Sequence, residues 1–313
     1  MRILLASRYL VAAAAAVLLA LLPFELSGYH QGIASRIAVY FIAILGLNIL
    51  IGYTGQISIG HGAFMAIGGY VTAIMSHDHH TNLIATLPLA FAITFVCGVI
   101  VGIPALRLSG VYLALATFAF AVSVPQFPLK FSKFTGGSNG IETVTTPSHI
   151  WLYGVSWAAA ALMFVLAWLL LRGRIGRAFR AVRDSPVAAA SSGVALPIYK
   201  TLAFGVSAAF AGVAGSLFVL ATNGFAQPNE FGVLLSLQIL IGAAVAGLGS
   251  LWGVLVGALF IGLLPTVSAD VPLIGSAHGQ DVVFGLIVIL IMLLLPNGFA
   301  GLLARLARVR ARA

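Results

Sequence analysis

Apolar residues come along this chain in long runs, separated by short clusters of glycine, proline and charge. In order the runs cover residues 9–24, 37–53, 57–76, 83–105, 110–127, 151–171, 200–221, 233–247, 250–267 and 281–296, each free of charge inside its ends. Strands of a membrane β-barrel would instead alternate residue by residue over about ten positions. The runs lie near the roughly 20 residues that a helix needs to cross the hydrocarbon core. A bilayer admits only structures that pair their own backbone groups. The pattern therefore predicts an all-α polytopic membrane protein of about ten transmembrane helices. The second, third, eighth and ninth runs are short or broken by glycine. The chain reads as one transmembrane domain over residues 1–313. A cytoplasmic loop is expected at about 172–200 and a basic tail at about 297–313.

Composition supports lipid as the solvent. The 313 residues are 61% hydrophobic and 7% charged, against about a quarter charged in a soluble domain. The net charge of +9 would suggest nucleic acid in a soluble chain. Here the basic residues fall between apolar runs, so they are read as setting orientation, and no nucleic-acid partner is expected. With the N-terminus inside, thirteen basic residues are cytoplasmic, among them Arg107, Lys200 and Arg308, and only Arg36, Lys130 and Lys133 lie outside. An even number of spans returns the C-terminus to the cytoplasm. Arg2 and Arg8 precede the first run as in a signal peptide, but no small-x-small cleavage site follows, so a retained first span is expected. The single cysteine, Cys97, sits in an apolar run and has no partner for an intrachain disulfide.

Small residues recur at helical spacing. Gly98 with Gly102, Gly249 with Gly253 and Gly257, and Ala208, Ala211, Gly212 and Gly215 let backbones approach closely; packing within one subunit is the plainer reading. Two glycine-broken segments look alike, Gly52–Gly62 and Ala246–Gly253. Paired breaks in two halves hint at an internal repeat and at a transport path. The path candidates are Gln56, Ser58, Gly60 and His61 in the first break, with Gly249, Ser250 and Gly253 in the second. A lone histidine such as His61 is more often a hydrogen-bonded structural residue than a ligand.

No GxxxxGK[ST] loop occurs, so nucleotide hydrolysis by this chain is not expected, and neither is any cofactor. The seven carboxylates fall in loops or at span ends, where an ion-coupled carrier often places one inside the bilayer. His77, Asp78, His79 and His80 form the only metal-like cluster, and they read as a solvated turn. Thr135–Gly140 could cradle an anion but reads first as an external turn. In the cytoplasmic loop, Arg174, Arg177, Arg180 and Arg183 recur every three residues among apolar neighbours. They predict a short surface helix, which is either a topology anchor on anionic lipid or a docking element.

The segment Gly52–Thr72 (GYTGQISIGHGAFMAIGGYVT) resembles the glycine-rich signature of LivM-type permeases of branched-chain amino acid ABC importers. Thr135–Ile141 (TGGSNGI), Gly176–Gly193 (GRAFRAVRDSPVAAASSG), Leu202–Phe218 (LAFGVSAAFAGVAGSLF) and Gly247–Gly257 (GLGSLWGVLVG) are similar to the same family in the same order, as is the closing Pro296-Asn297-Gly298. The resemblance implies a bacterial inner-membrane permease with a homologous second permease, two cytoplasmic ATPases and a periplasmic binding protein as partners. It implies that Arg174, Gly176, Arg177, Phe179, Arg180, Arg183, Asp184 and Gly193 belong to a loop that couples to the ATPase. Related permeases for urea or short amides are the nearest rivals in substrate, and a stand-alone channel or ion-coupled carrier the rival class. The chain departs from the family in carrying Ser185 and Pro186 where acidic residues commonly follow the Arg-Asp pair.

Overall fold

The computed structural model describes residues 27–79, 81–143 and 147–269, with a few positions between 285 and 301. The expected spans at 9–24 and 281–296 and most of the basic tail lie outside the described residues. The rest is almost entirely helical: α1 (Gly28–Thr54), α2 (His61–His79), α3 (Leu83–Ala105), α4 (Val111–Ser123), α5 (Gln126–Lys130), α6 (His149–Arg172), α7 (Arg174–Asp184), α8 (Pro186–Ser191), α9 (Leu196–Ala221), α10 (Val233–Ala246) and α11 (Gly253–Ala269). Six helical stretches among the described residues are long and apolar enough to cross a bilayer. A two-residue antiparallel ribbon pairs Ile141 with Ala226 and Glu142 with Phe225.

Helix ends follow local chemistry. The Asn82 side chain accepts from the Ile84 N–H and opens α3. Ser148 does the same for α6 through the Trp151 N–H, and Ser185 for α8 through the Ala188 N–H. Such caps satisfy donors that a helix start leaves open. Pro186 stands at the first position of α8, where its missing N–H costs nothing. At the far end of α6 the Arg172 guanidinium lies 3.9 Å from the Trp168 ring centroid. A stacked tryptophan and arginine are at home where a span meets the headgroups.

Two helices form the centre. α1 and α9 are buried on all sides through their apolar stretches. α3 and α6 instead turn one face outward, with Val96, Ile100 and Ile103 exposed on one and Leu162, Val165 and Leu169 on the other. That division suits lipid-facing outer helices around a dry centre. Small residues make the centre possible. A Cβ on Gly98 would lie 2.4 Å from the Ala208 Cβ, and one on Gly68 would lie 2.1 Å from the Gly212 carbonyl. The predicted small-residue spacing thus serves contacts within the chain, where dispersion needs close backbones. Ser216 adds a hydrogen bond across the same crossing, to the Gly68 carbonyl at 3.1 Å, its one proton shared with the Gly212 carbonyl of its own helix at 3.2 Å.

The expected third span does not begin at residue 57. Residues 55–60 are non-helical, and α2 starts only at His61. The His77 ring bonds the Glu142 carbonyl at 3.1 Å, and among the described residues no three His, Cys, Asp or Glu side chains are grouped to hold a metal. Thr135–Gly140 forms a tight turn with Gly136, Gly137 and Gly140 at positive φ.

Gly212→Ala would force a Cβ to within 2.1 Å of the Thr94 hydroxyl. We expect it to destabilise the protein by about 1–3 kcal/mol through overpacking, read as a lower unfolding temperature in detergent. Gly154→Ala, whose Cβ meets nothing within 4 Å, should raise stability by up to about 1 kcal/mol through helix propensity.

Candidate functional site

The first glycine break ends α1 and re-starts the chain well inside the protein. Gly55, at φ 70°, closes α1 with its N–H on the Ile51 carbonyl at 3.0 Å. The next residues alternate as an extended strand does: Gln56, Ser58 and Gly60 are buried, while Gly55 and Ile57 are exposed and Ile59 is half-buried. α2 then begins near the level of Gly46, because His61 bonds Ser207, which bonds the Gly46 carbonyl. Gly46 lies eight residues before the end of α1, about 12 Å along its axis. The break therefore carries non-helical backbone to membrane depth. Such backbone is tolerated only where protein or a water-lined path satisfies it.

Side chains from other helices supply the partners. Thr117 on α4 accepts from the Ile59 N–H at 2.9 Å. Ser236 on α10 accepts from the Gly62 N–H at 2.8 Å. Ser58 accepts from the Gly60 N–H at 3.3 Å, and Gln56 donates to the Thr54 hydroxyl at 2.9 Å. His61 is fully enclosed. Ser207 has one hydroxyl proton and gives it to the Gly46 carbonyl at 2.8 Å. The His61 Nε2 must then be the donor to Ser207 Oγ at 2.9 Å, which assigns the neutral Nε2–H tautomer from the network. Its Nδ1 is buried without a partner.

The second break meets the first. Asn48, buried in the middle of the apolar run of α1, accepts from the Gly249 N–H at 2.8 Å and donates to the Ser250 carbonyl at 2.9 Å. Gly52 leaves room for this loop: a Cβ there would lie 2.3 Å from the Gly249 nitrogen. Ser250 in turn accepts from the Gly253 N–H at 3.1 Å and caps α11. Gly249, Ser250 and Gly253 thus form a knot against the end of α1. They gather at a different depth from His61.

The basic helix joins that knot. α7 buries Gly176, Ala178, Phe179 and Val182, and the Phe179 ring meets Tyr199 edge-on at 6.4 Å. Gly176 is pressed on the Leu171 backbone, where a Cβ would lie 2.0 Å from the carbonyl oxygen. The expected ridge of four arginines is divided. Arg174 and Arg177 are exposed. Arg180 is half-buried and turns back towards the Leu171 carbonyl at 3.4 Å. Arg183 donates from Nη1 to the Gly52 carbonyl at 2.9 Å, while Asp184 holds its Nε and Nη2 at 3.0 and 2.9 Å. A cation on the open carbonyls of a helix C-terminus is favourable. Gly193, at φ 83°, turns the chain after α8, and Val187 on α8 is 78% exposed. Sequence reading missed Asn48, Ser207, Ser236 and Val187. The signal for Asn48 was present: like Gln238 in a later run, it is an amide deep inside an apolar run, and polar groups there pair or function.

Asn48→Ala leaves the Gly249 N–H and the Ser250 carbonyl without their partner, at about 1–3 kcal/mol for each group that stays dry. We expect a lower unfolding temperature and faster proteolysis of the 247–252 loop; an unchanged protein would mean that the knot adds no stability.

Comparison with known proteins then places the chain. Residues 29–294 match the family described as branched-chain amino acid transport system / permease component. The chain is 32% identical over 307 residues to the high-affinity branched-chain amino acid transport system permease protein LivM of Salmonella typhimurium, and 31% identical to that of Escherichia coli; each alignment covers 88% of this chain and 71% of the relative. It is 25% identical over 291 residues to the permease protein LivH of Salmonella typhimurium, covering 84% of this chain and 92% of that protein. No solved structure matches the chain. With the family matched along nearly the whole described helical core, this chain belongs to the permease components of branched-chain amino acid transport systems.

Proposed function

We propose that this permease forms the transmembrane path for branched-chain amino acids together with a homologous second permease. Uptake is driven by two separate cytoplasmic ATPases and fed by a periplasmic binding protein. The names of the LivM and LivH relatives support the substrate and a two-permease arrangement. The chain sits in the bacterial inner membrane as ten spans, those at 9–24 and 281–296 included, with both termini cytoplasmic. The two glycine breaks descend from an internal repeat.

The observation that carries the coupling role is the Arg183 hydrogen bond to the Gly52 carbonyl at 2.9 Å. It ties α7, the ATPase-facing helix, to the end of α1, where the break leading to His61 begins. Displacement of α7 by a partner pulls directly on that carbonyl and on the Gly249 loop beside it. The surface left for the ATPase is formed by Arg174, Arg177 and Val187, while Arg180, Arg183 and Asp184 transmit the motion inward. Phe179, Gly176 and Gly193 shape the loop. In the first break, the open side of the extended strand, Gly55 and Ile57, faces the path or the second permease. Gln56, Ser58, Gly60 and His61 hold its inner side, and Gly249, Ser250 and Gly253 hold the knot at the end of α1.

Charge reversal at Arg174 and Arg177 tests this. Rim pairs contribute individually about 1 kcal/mol or less, so both positions are changed to glutamate. Uptake by the assembled importer should fall severalfold and the ATPases should co-purify poorly, at normal membrane abundance. Normal uptake would reduce α7 to a topology anchor. In a Cys97→Ser background, cysteines at Asp78 and Asn139 should react from outside and one at Arg177 from inside; labelling of 78 and 177 from one side would overturn the orientation.

A further inference from the structure

At the end of the molecule away from α7, a cavity of about 650 Å³ opens between the first turns of α1, the start of α6 and the segment after α9. That volume lies within the roughly 300–1,000 Å³ of small-molecule sites. Its wall carries one charge of each sign. Arg36 comes from α1 at the point where the apolar run begins, and Glu230 from the single turn Pro228–Phe231 that precedes α10. Among the described residues the one ion pair is Arg183 with Asp184, so Arg36 and Glu230 face the same cavity without neutralising each other. The Glu230 Oε2 is enclosed without a partner, while the Thr222 side chain bonds the same carboxyl group. Gly32, one turn above Arg36 on the same face of α1, presents no side chain, and a Cβ there would meet nothing within 4 Å. Leu152 and Leu220, which pack together as a small apolar cluster, form another part of the wall.

We propose that this cavity receives the amino acid as a zwitterion at the outer mouth of the permease. The Arg36 guanidinium takes the α-carboxylate, Glu230 takes the α-ammonium, and the aliphatic side chain lies towards Leu152 and Leu220. The assignment rests on the substrate and orientation given under Proposed function. A guanidinium offers paired donors that match a carboxylate in shape. A cation and an anion held apart across one cavity suit a ligand whose own charges are separated but sum to zero. A simple amine or carboxylate would satisfy one wall and leave the other charge uncompensated, which costs more as water is displaced. The larger cavity between α3 and α6, by contrast, is lined by apolar side chains and Asn82 and carries no charge on its wall.

The test uses the complete importer in nanodiscs, with both permeases and both ATPases. Labelled leucine binding is measured without the binding protein, and uptake is measured in proteoliposomes with it. Unlabelled leucine should compete for binding, whereas isoamylamine, which lacks the carboxylate, and 4-methylpentanoate, which lacks the ammonium, should each compete about tenfold more weakly or worse. Arg36→Gln and Glu230→Gln should each weaken binding and slow uptake about tenfold. Arg36→Lys and Glu230→Asp should recover part of the binding. All four variants should assemble with the second permease and both ATPases as the unaltered chain does, because the α7 end is untouched. Equal competition by the two analogues, or variants that transport leucine like the unaltered importer, would overturn the site while leaving the importer's substrate intact. Loss of assembly in all four variants would overturn it in favour of a purely structural pair. An unaltered importer that moves no amino acid at all would instead overturn the substrate reading, and the site with it.

Discussion

A bilayer offers no hydrogen bonds, so every backbone N–H and C=O that leaves a helix inside it must be met by the protein. The first glycine break gives up helical pairing over six residues, from Gly55 to Gly60. The partners come from elsewhere in the chain: Thr117 from α4, Ser236 from α10, and Arg183 from α7 for the carbonyl of Gly52. Each of these bonds joins the break to a different element. Removing helical pairing at one place thus obliges several helices to hold fixed positions around it. A non-helical segment at this depth has a use in a transport protein, since it can rearrange with less loss of pairing than an intact helix.

The same demand explains why the two breaks touch. Asn48 uses both ends of its amide on the Gly249–Ser250 backbone, and Gly52 provides the clearance for the loop to approach. The Arg183 guanidinium lies over the same spot, within 3.4 Å of where a Gly249 Cβ would be. Three remote parts of the chain therefore share one small volume at the end of α1. α1 and α9 can sit at the centre because their small residues let neighbours close to backbone distance. Packed cores of this kind transmit displacement rather than absorb it. Arg183 thus joins α7 to the end of α1 through one hydrogen bond and to the Gly249 loop through a close contact.

Much of this architecture was legible in the runs of apolar residues. The expected span 83–105 coincides with α3, 151–171 falls within two residues of α6, and 233–247 within one of α10. In these stretches caps or glycines bracket the run, so length and punctuation agree. The run at 57–76 misled because hydropathy counts apolar residues without regard to their period. Ile57 and Ile59 are apolar but stand on alternate positions, as in an extended strand. The run at 37–53 began too late, since Gln31 and Ser35 are polar yet buried at the start of α1. The arginine ridge was visible as a spacing, but not that Arg180 and Arg183 bond backbone carbonyls of α6 and α1 while Arg174 and Arg177 stay free for other contacts.

By itself the sequence determined the solvent, the helical class and the family, because each follows from features local in the chain: run length, scarcity of charge and ordered glycine motifs. It also marked both breaks and the basic helix. Only the tertiary structure decided which of these meet. Asn48 and Gly249 are about two hundred positions apart, and Arg183 and Gly52 more than a hundred. Hydrogen bonds across such separations depend on how α7 and the loop after α10 pack on α1, and a helix apolar on nearly every side, as α1 is, leaves no periodic trace of its neighbours in the sequence. The facing of Arg36 and Glu230 across one cavity is of the same kind, set by where three helix ends come to rest.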